Sequence, residues 1–270
     1  MISPVPDSTV GTGTVLVTGC QGQLGREILE LSPEYPCFRF VCTDIGELDI
    51  TDGRAVREMI DRENADVIIN AAAYTAVDQA EQERDAAFAI NAVAPGVLAE
   101  EAKRAGSLLV HYSTDYVFDG TAVTPYAEDA PLSVYGATKL EGEQRVAASG
   151  ADALVLRTSW VYGLRGRNFL LTIRKLAAER EELRIVADQT GVPNWCRALA
   201  QATARIVAGG LPAMRERAGL YHLSSGGPTT WYEFARAIIG DAPRPRVTPI
   251  ATADYPLPAR RPAYGVLATA

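Results

Sequence analysis

The sequence predicts an α/β fold: a doubly wound, Rossmann-type, mainly parallel sheet with a smaller C-terminal substrate lobe. Three observations predict it. Short, nearly continuous apolar runs alternate with segments of helical periodicity. The first run leads into a glycine-rich turn and then a helix, an arrangement that can hold a pyrophosphate. After about residue 160 the alternation loosens and proline and glycine become frequent, which suits a second, smaller unit.

The strands read, in order, "TVLVTG" (14–19), "FRFVCTD" (38–44), "ADVIINAAA" (65–73), "SLLVHYST" (107–114), "ALVLRTSW" (153–160) and "LRIVADQ" (183–189). Strands buried on both faces of a parallel sheet read as unbroken apolar runs. Between them "QLGREILEL", "GRAVREMIDREN", "ERDAAFAINAVAPGVLAEEAKRAG", "YGATKLEGEQRVAAS" and "RNFLLTIRKLAAERE" place apolar residues at helical spacing. "GLYHLSSGGPTTWYEFARAII" adds a strand, a glycine-rich turn and a helix. Residues 14–160 are expected to form the dinucleotide-binding core, with later sheet elements from 183–223. Residues 161–270 are expected to form mainly the lobe, folded over the carboxyl edge of the sheet, where ligands of such sheets bind.

The chain has 270 residues, 47% of them hydrophobic, enough for a full core. Its formal charge of −7, with both signs mixed, argues against general binding to nucleic acid or anionic membranes. No apolar run is long enough to span a bilayer. "MISPVPDSTVGTG" lacks the basic and apolar regions of a secretory signal, and residues 1–13 read as a disordered lead-in. Cys20, Cys37, Cys42 and Cys196 form no CxxC pair and have no histidine at metal spacing. They read as reduced thiols of a cytoplasmic protein, and no metal is expected.

Gly19, Gly22 and Gly25 follow the first strand at a spacing of three and three, unlike GxGxxG. The physical uses of glycine are the same: a tight turn, close backbone approach to a pyrophosphate, and close packing of helix on strand. Asp44 ends the second strand, where a carboxylate can accept from a ribose diol and repel a 2′-phosphate. That favours NADH over NADPH, while Arg26 beside the turn offsets the repulsion. In "ELDITD", Asp49 and Ile50 sit where the adenine would lie; alternatively Asp49 or Thr51 caps the next helix.

"SVYGATKLEGE" sets Tyr135 and Lys139 at i and i+4, on one face of a helix. A nearby ammonium stabilises a phenolate and lowers the phenol's pKa, which makes a tyrosine a serviceable acid. "HYSTDYVFDG" ends the fourth strand and places the hydroxyls of Ser113 and Thr114 at the same sheet edge. Either can hydrogen-bond a substrate oxygen as charge develops on it.

With these residues together, the chain resembles the extended short-chain dehydrogenase/reductases, and within them the dTDP-4-dehydrorhamnose reductase family. The shared stretches are "GCQGQLG", "NAAAYTAVDQAE", "HYSTDYVFDG", "VYGATKLEGE", "RTSWVYG", "DQTGVP", "GLYHLSSGGPTTWYEFA" and "PARRP", from about residue 14 to 262. The resemblance implies reduction, with NADPH or NADH, of the C4 ketone of a dTDP-linked 4-keto-6-deoxy sugar. The expected substrate is dTDP-4-dehydro-L-rhamnose and the product dTDP-L-rhamnose.

The resemblance also implies roles for particular residues. Tyr135 would protonate the C4 oxygen, Lys139 would lower its pKa and hold the nicotinamide ribose, and Thr114 would bond the same oxygen. Asp115 and Trp160 match positions that line the sugar site, and Val77 one that packs against it. Gly22, Gln23, Leu24, Asp44, Asp49, Ile50, Ala73, Tyr74, Thr75 and Tyr112 fall where the family holds the dinucleotide, with Gly19 and Gly25 in the same turn. Arg260 and Arg261 suit the diphosphate through bidentate pairing; the other reading is a solvated basic loop.

Related 4,6-dehydratases carry an Asp-Glu pair after the corresponding threonine, whereas this chain has Asp115 and Tyr116. The missing acid disfavours elimination and fits ketone reduction. Epimerases of the extended family share YxxxK but not the "STDYVF" and "RTSWVYG" pairing. Asn194 stands where the family commonly has threonine and is expected to cap the helix that follows. The family usually continues beyond the point where this chain reads "YGVLATA", so closure of the lobe is expected to differ. Some relatives form a metal-bridged dimer through acidic residues; Glu27 is an acid of that kind, but a lone acid on a helix reads as solvated. A homodimer is the oligomer considered. Two alternatives stand: a reductase of another nucleotide-linked 4-ketosugar, or a dinucleotide-binding regulatory subunit like the β subunit of methionine adenosyltransferase. Thr114, Asp115, Trp160 and "PARRP" favour an enzyme.

Overall fold

A computed structural model of the chain describes residues 12–119 and 131–269. The lead-in expected over 1–13 therefore lies outside the described residues except at its last two positions. Five strands precede residue 160: β1 (Gly13–Thr18), β2 (Phe38–Thr43), β3 (Val67–Asn70), β4 (Leu108–Thr114) and β5 (Ala153–Thr158). Beyond it come β6 (Val161–Tyr162), β7 (Glu182–Val186), β8 (Thr190–Gly191), β9 (Asn194–Trp195), β10 (Gly219–His222), β11 (Thr229–Thr230) and β12 (Arg246–Ile250).

The main sheet has the order β2-β1-β3-β4-β5-β10, every pair parallel. The chain leaves β1 for β2 on one side and then returns to β3 on the other. This reversal opens a crevice at the carboxyl ends of β1 and β3, where doubly wound sheets bind ligands.

The helices are α1 (Gln23–Leu31), α2 (Gly53–Glu63), α3 (Val77–Ala80), α4 (Arg84–Phe88), α5 (Ala94–Ala105), α6 (Val134–Ser149), α7 (Phe169–Glu179), α8 (Cys196–Ala208), α9 (Leu211–Glu216) and α10 (Trp231–Ile239). Of these, α1 and α8 lie on one face of the main sheet and α2, α5 and α6 on the other. Strand alternation sorts the core into two layers. Val15, Val17, Ile69 and Val110 pack with Ile28 and Leu31 of α1 and Ala200 and Val207 of α8. Leu16, Ile68, Leu109 and Val155 pack with Val56 and Ile60 of α2 and Leu98 of α5.

Two sequence expectations change here. The run at 183–189 forms β7, but β7 pairs with β12 outside the main sheet, and the sixth strand of that sheet is β10. The reason is one-sided burial: in β7 only Leu183 is fully buried, against Ile173 of α7 and Ala235 of α10 in a separate small core. The helix expected as one piece over 83–106 is divided by a π turn at Ala89–Val93. Pro95 cannot follow Asn91 in a regular helix, because its ring meets the carbonyl four residues back. Asn91 is buried there, accepting from Tyr74 N at 2.9 Å and donating to Tyr74 O at 3.0 Å.

Candidate functional site

The glycine turn closes the end of β1. Gly19 has φ +67°, and a Cβ on it would lie 2.6 Å from the backbone nitrogen of Ala72. A Cβ on Gly25 would lie 2.3 Å from the carbonyl oxygen of Gly19. Both positions therefore demand glycine, one for its left-handed backbone and one for close packing of helix on turn. Asp44, at the end of β2, ties the turn down: its carboxylate accepts from Gln21 N at 2.8 Å and Ile45 N at 2.9 Å. Arg26 donates to Gln21 O at 3.0 Å, close beside it.

From this turn a groove of about 780 Å³ runs along the carboxyl ends of the strands. Of the residues expected to hold a dinucleotide, it is lined by Gly19, Gly22, Gln23, Leu24, Asp44, Asp49, Ile50, Ala73, Thr75, Tyr112, Tyr135 and Lys139. Gly25 lies behind the turn, and Tyr74 donates its phenol to Glu83. Asp49 lines the groove and also accepts from the Thr51 amide and hydroxyl, which holds its carboxyl below its usual range. Neither Asp49 nor Thr51 caps α2; Asp52 does, accepting from Arg54 N and Ala55 N.

At the inner end of the groove, α6 delivers Tyr135 and Lys139 together, with Ser133 as its N-cap. Thr114 is buried beside them, accepts from Tyr116 N at 3.2 Å and donates to Asp115 at 3.1 Å. The expected lowering of the Tyr135 pKa by Lys139 is not what this geometry produces. Burial disfavours the phenolate and pushes the phenol up to about 12, with the Thr114 hydrogen bond opposing. Lys139 Nζ donates to the carbonyl of Tyr112 at 2.6 Å, and burial brings its pKa down to about 8. The Tyr112 phenol turns away to Thr203 of α8 at 2.5 Å.

Residues expected to touch a sugar lie off the groove lining. Trp160 has φ +42°, an outlier for a bulky residue, and stacks on Trp231 with ring centroids 3.4 Å apart. Val77 opens α3. Next to it, Asp78 grips Arg261 through two nitrogens at 2.5 and 2.6 Å, so Arg261 is not a solvated loop residue, while Arg260 is exposed. Asp115 is fully buried, close against Gly265, and burial raises its carboxyl from 3.8 to about 7. Between those two values the folded chain keeps a proton that the unfolded chain has released, so stability falls as pH rises through that window. Asp115→Asn should flatten this part of a Tm-against-pH curve; an unchanged slope would show that Asp115 ionises freely in the fold.

Asn194 does not cap α8. Trp195 occupies that position, and the Asn194 amide is buried, donating to Ser159 O at 2.7 Å and Val192 O at 2.9 Å. Glu27 faces Arg197 at 3.4 Å, and among the described residues no cluster of three or more His, Cys, Asp or Glu could hold a metal. All four cysteines are free thiols. Sequence reasoning missed Arg167, a groove cation between Gly166 and Asn168, and the structural part played by Asn91. Pro95, four residues after Asn91, was the available signal for the latter.

Two groove-lining hydroxyls, Ser113 Oγ and Thr158 Oγ1, are buried without a partner. Buried polar atoms are normally satisfied, so this floor suits a ligand with polar groups of its own. Together with the glycine turn, it fits a nicotinamide dinucleotide.

Comparison with known proteins points the same way. The family model described as "RmlD substrate binding domain" matches residues 13–270. The dTDP-4-dehydrorhamnose reductase of Burkholderia thailandensis is 47% identical over 275 residues, covering 94% of this chain and 89% of the relative. The chain belongs to the dTDP-4-dehydrorhamnose reductase family. Within that family of NAD(P)H-dependent oxidoreductases, the Bacillus anthracis reductase in complex with NADP superposes with a TM-score of 0.88. It is 37% identical and the match covers 95% of this chain and 90% of that one. A Streptomyces antibioticus protein named "Probable dTDP-4,6-dihydroxy-2-methyloxan-3-one 4-ketoreductase" is 43% identical, over 93% of this chain and 85% of its own. Among the described residues, no helix is long and apolar enough to cross a membrane.

Proposed function

We propose that the chain reduces the C4 ketone of dTDP-4-dehydro-L-rhamnose to dTDP-L-rhamnose with NADPH or NADH, Tyr135 acting as proton donor. The observation that carries this reading is one groove joining the glycine turn to Tyr135 and Lys139 over a floor of unpartnered hydroxyls. Residues 14–160 hold the dinucleotide and residues 161–270 contribute most of the sugar side.

A bound reduced nicotinamide supplies the hydride for C4. Gly22, Gln23 and Leu24 present the start of α1 to the pyrophosphate, and Ser113 and Thr158 offer hydroxyls at the inner end. Tyr135, with a pKa near 12, is protonated at neutral pH and gives that proton to the C4 oxygen as negative charge develops there. The Thr114 hydroxyl, which otherwise donates to Asp115, turns its proton to the same oxygen. Lys139 is cationic below about pH 8 and steadies the phenolate left behind. Asp115 and Trp160 are assigned to the sugar, and Arg260 and Arg261 to its diphosphate, for which Arg261 would exchange its Asp78 partner.

The test is loss of reduced-nicotinamide absorbance with dTDP-4-dehydro-L-rhamnose, NADH and NADPH run in parallel. Absence of turnover with dinucleotide binding intact would discard this substrate. The Streptomyces relative favours a second reading, another dTDP-linked 4-ketosugar, which the same assay screens.

The Asp44 carboxylate repels a 2′-phosphate, so Asp44→Ala should raise NADPH use relative to NADH by roughly tenfold, about 1.4 kcal/mol. An unchanged ratio would remove Asp44 from cofactor choice. The reading extends to a cytoplasmic location, which suits four free thiols. It also extends to a homodimer, which sedimentation velocity checks.

A further inference from the structure

Two ionisable side chains meet out of solvent behind the proposed proton donor. His111 on β4 is fully buried, with Nε2 3.4 Å from Lys139 Nζ and Nδ1 3.1 Å from Nδ2 of Asn70. The other end of Asn70 settles its orientation. Its Oδ1 accepts from the Thr18 hydroxyl at 2.8 Å and from Ala72 N at 3.2 Å, so its NH₂ faces His111. An amide NH₂ only donates, which makes Nδ1 the accepting nitrogen and puts the proton of the neutral imidazole on Nε2. That N–H points at Lys139 Nζ, which has Tyr112 O as an acceptor on its other side. A donor facing an amine disfavours its ammonium form.

We propose that His111 is a positioning residue whose Nε2–H tautomer, fixed by Asn70, sets the pH at which Lys139 gains and loses its proton. The coupling stands on these contacts; its catalytic consequence rests on the reductase reading. Burial acts in the same direction, lowering both the lysine and the imidazole. The remaining titratable groups around the pair are few. Glu143, one turn along α6, opposes by favouring the ammonium, and is itself paired with Arg157 of β5. Tyr135 stands on the same helix, and Tyr112 directs its phenol to Thr203. One line of polar contacts thus runs from Thr18, beside the glycine turn, through Asn70 and His111 to the lysine.

The composition makes the test direct. His111 and His222 are the chain's two histidines, and Lys103, Lys139 and Lys175 its lysines. In the full chain, ¹⁵N spectra report the imidazole tautomers and ¹³Cε shifts report each lysine titration, Lys139 being assigned with Lys139→Arg. His111 should keep an unprotonated Nδ1 and a protonated Nε2 across about pH 6 to 9. Lys139 should titrate below the ordinary lysine range. In His111→Phe, and in Asn70→Asp, whose carboxylate draws the imidazole proton to Nδ1, Lys139 should titrate about one pH unit higher. An Nδ1–H tautomer in the wild type overturns the proposal even where a variant misfolds, as does an unmoved Lys139 in the folded variants. The basic limb of kcat against pH should shift with Lys139. Normal turnover in Lys139→Met would remove the lysine from the reductase mechanism, while the tautomer and titration of the His111–Lys139 pair would still decide the coupling.

Discussion

Tyr135→Phe should lower kcat by roughly 10²–10⁴-fold, the usual worth of a positioned general acid, and leave fold and dinucleotide affinity near those of the parent. The substitution removes one oxygen. The ring keeps its edge contact with Tyr116, 5.4 Å between centroids, and Thr114 keeps Asp115 and the amide of Tyr116 as partners. What disappears is a phenol that burial keeps protonated to about pH 12, which at neutral pH is a proton in reserve. The hydroxyls left on the groove floor, Ser113 and Thr158, are aliphatic alcohols and far poorer acids. Steady-state rates and NADPH binding by fluorescence, measured on the same preparation, separate the two effects. A variant that turns over like the parent would take Tyr135 out of the chemistry.

Arg157→Met should destabilise the fold by about 3–5 kcal/mol. Arg157 on β5 and Glu143 on α6 form a two-pronged pair at 2.9 and 2.6 Å, with side-chain exposures of 7% and 5%. The guanidinium also lies 4.9 Å from the Phe118 ring centroid. Removing the arginine strands a carboxylate where water cannot replace its partner. The loss corresponds to a fall in Tm of roughly 6–20 °C for a chain of this size. Replacing both residues, Arg157→Met with Glu143→Leu, should recover most of it, because the buried charge goes too. Thermal unfolding of the two variants checks the pair. A single variant that melts with the parent would show that Glu143 finds other compensation.

Features that depend on local period and near neighbours were legible in the amino-acid order alone. Continuous apolar runs marked β1, β3, β4 and β5, because strands buried on both faces have no polar side, and the edge strand β2 was marked by its apolar run despite Arg39. The turn at Gly19 and Gly25 was legible because backbone geometry there excludes side chains. Tyr135 and Lys139 could be placed together because four residues of helix bring them to one face.

Features that depend on burial and distant partners emerged only on packing. β10, not β7, completes the sheet, because β7 buries its apolar side in a lobe core of its own. Asn194, expected to cap a helix, spends its amide on Ser159 and Val192. Arg261 meets Asp78 across 183 residues of chain. The Tyr135 phenol is raised where its lysine neighbour alone suggested lowering, since desolvation outweighs a charge directed at the Tyr112 carbonyl. The lysine's own contact with His111 belongs to the same class. Spacing along a chain fixes which side chains are near one another on a single element, but solvent exclusion and long-range pairing set their protonation, and those arise only when the elements pack.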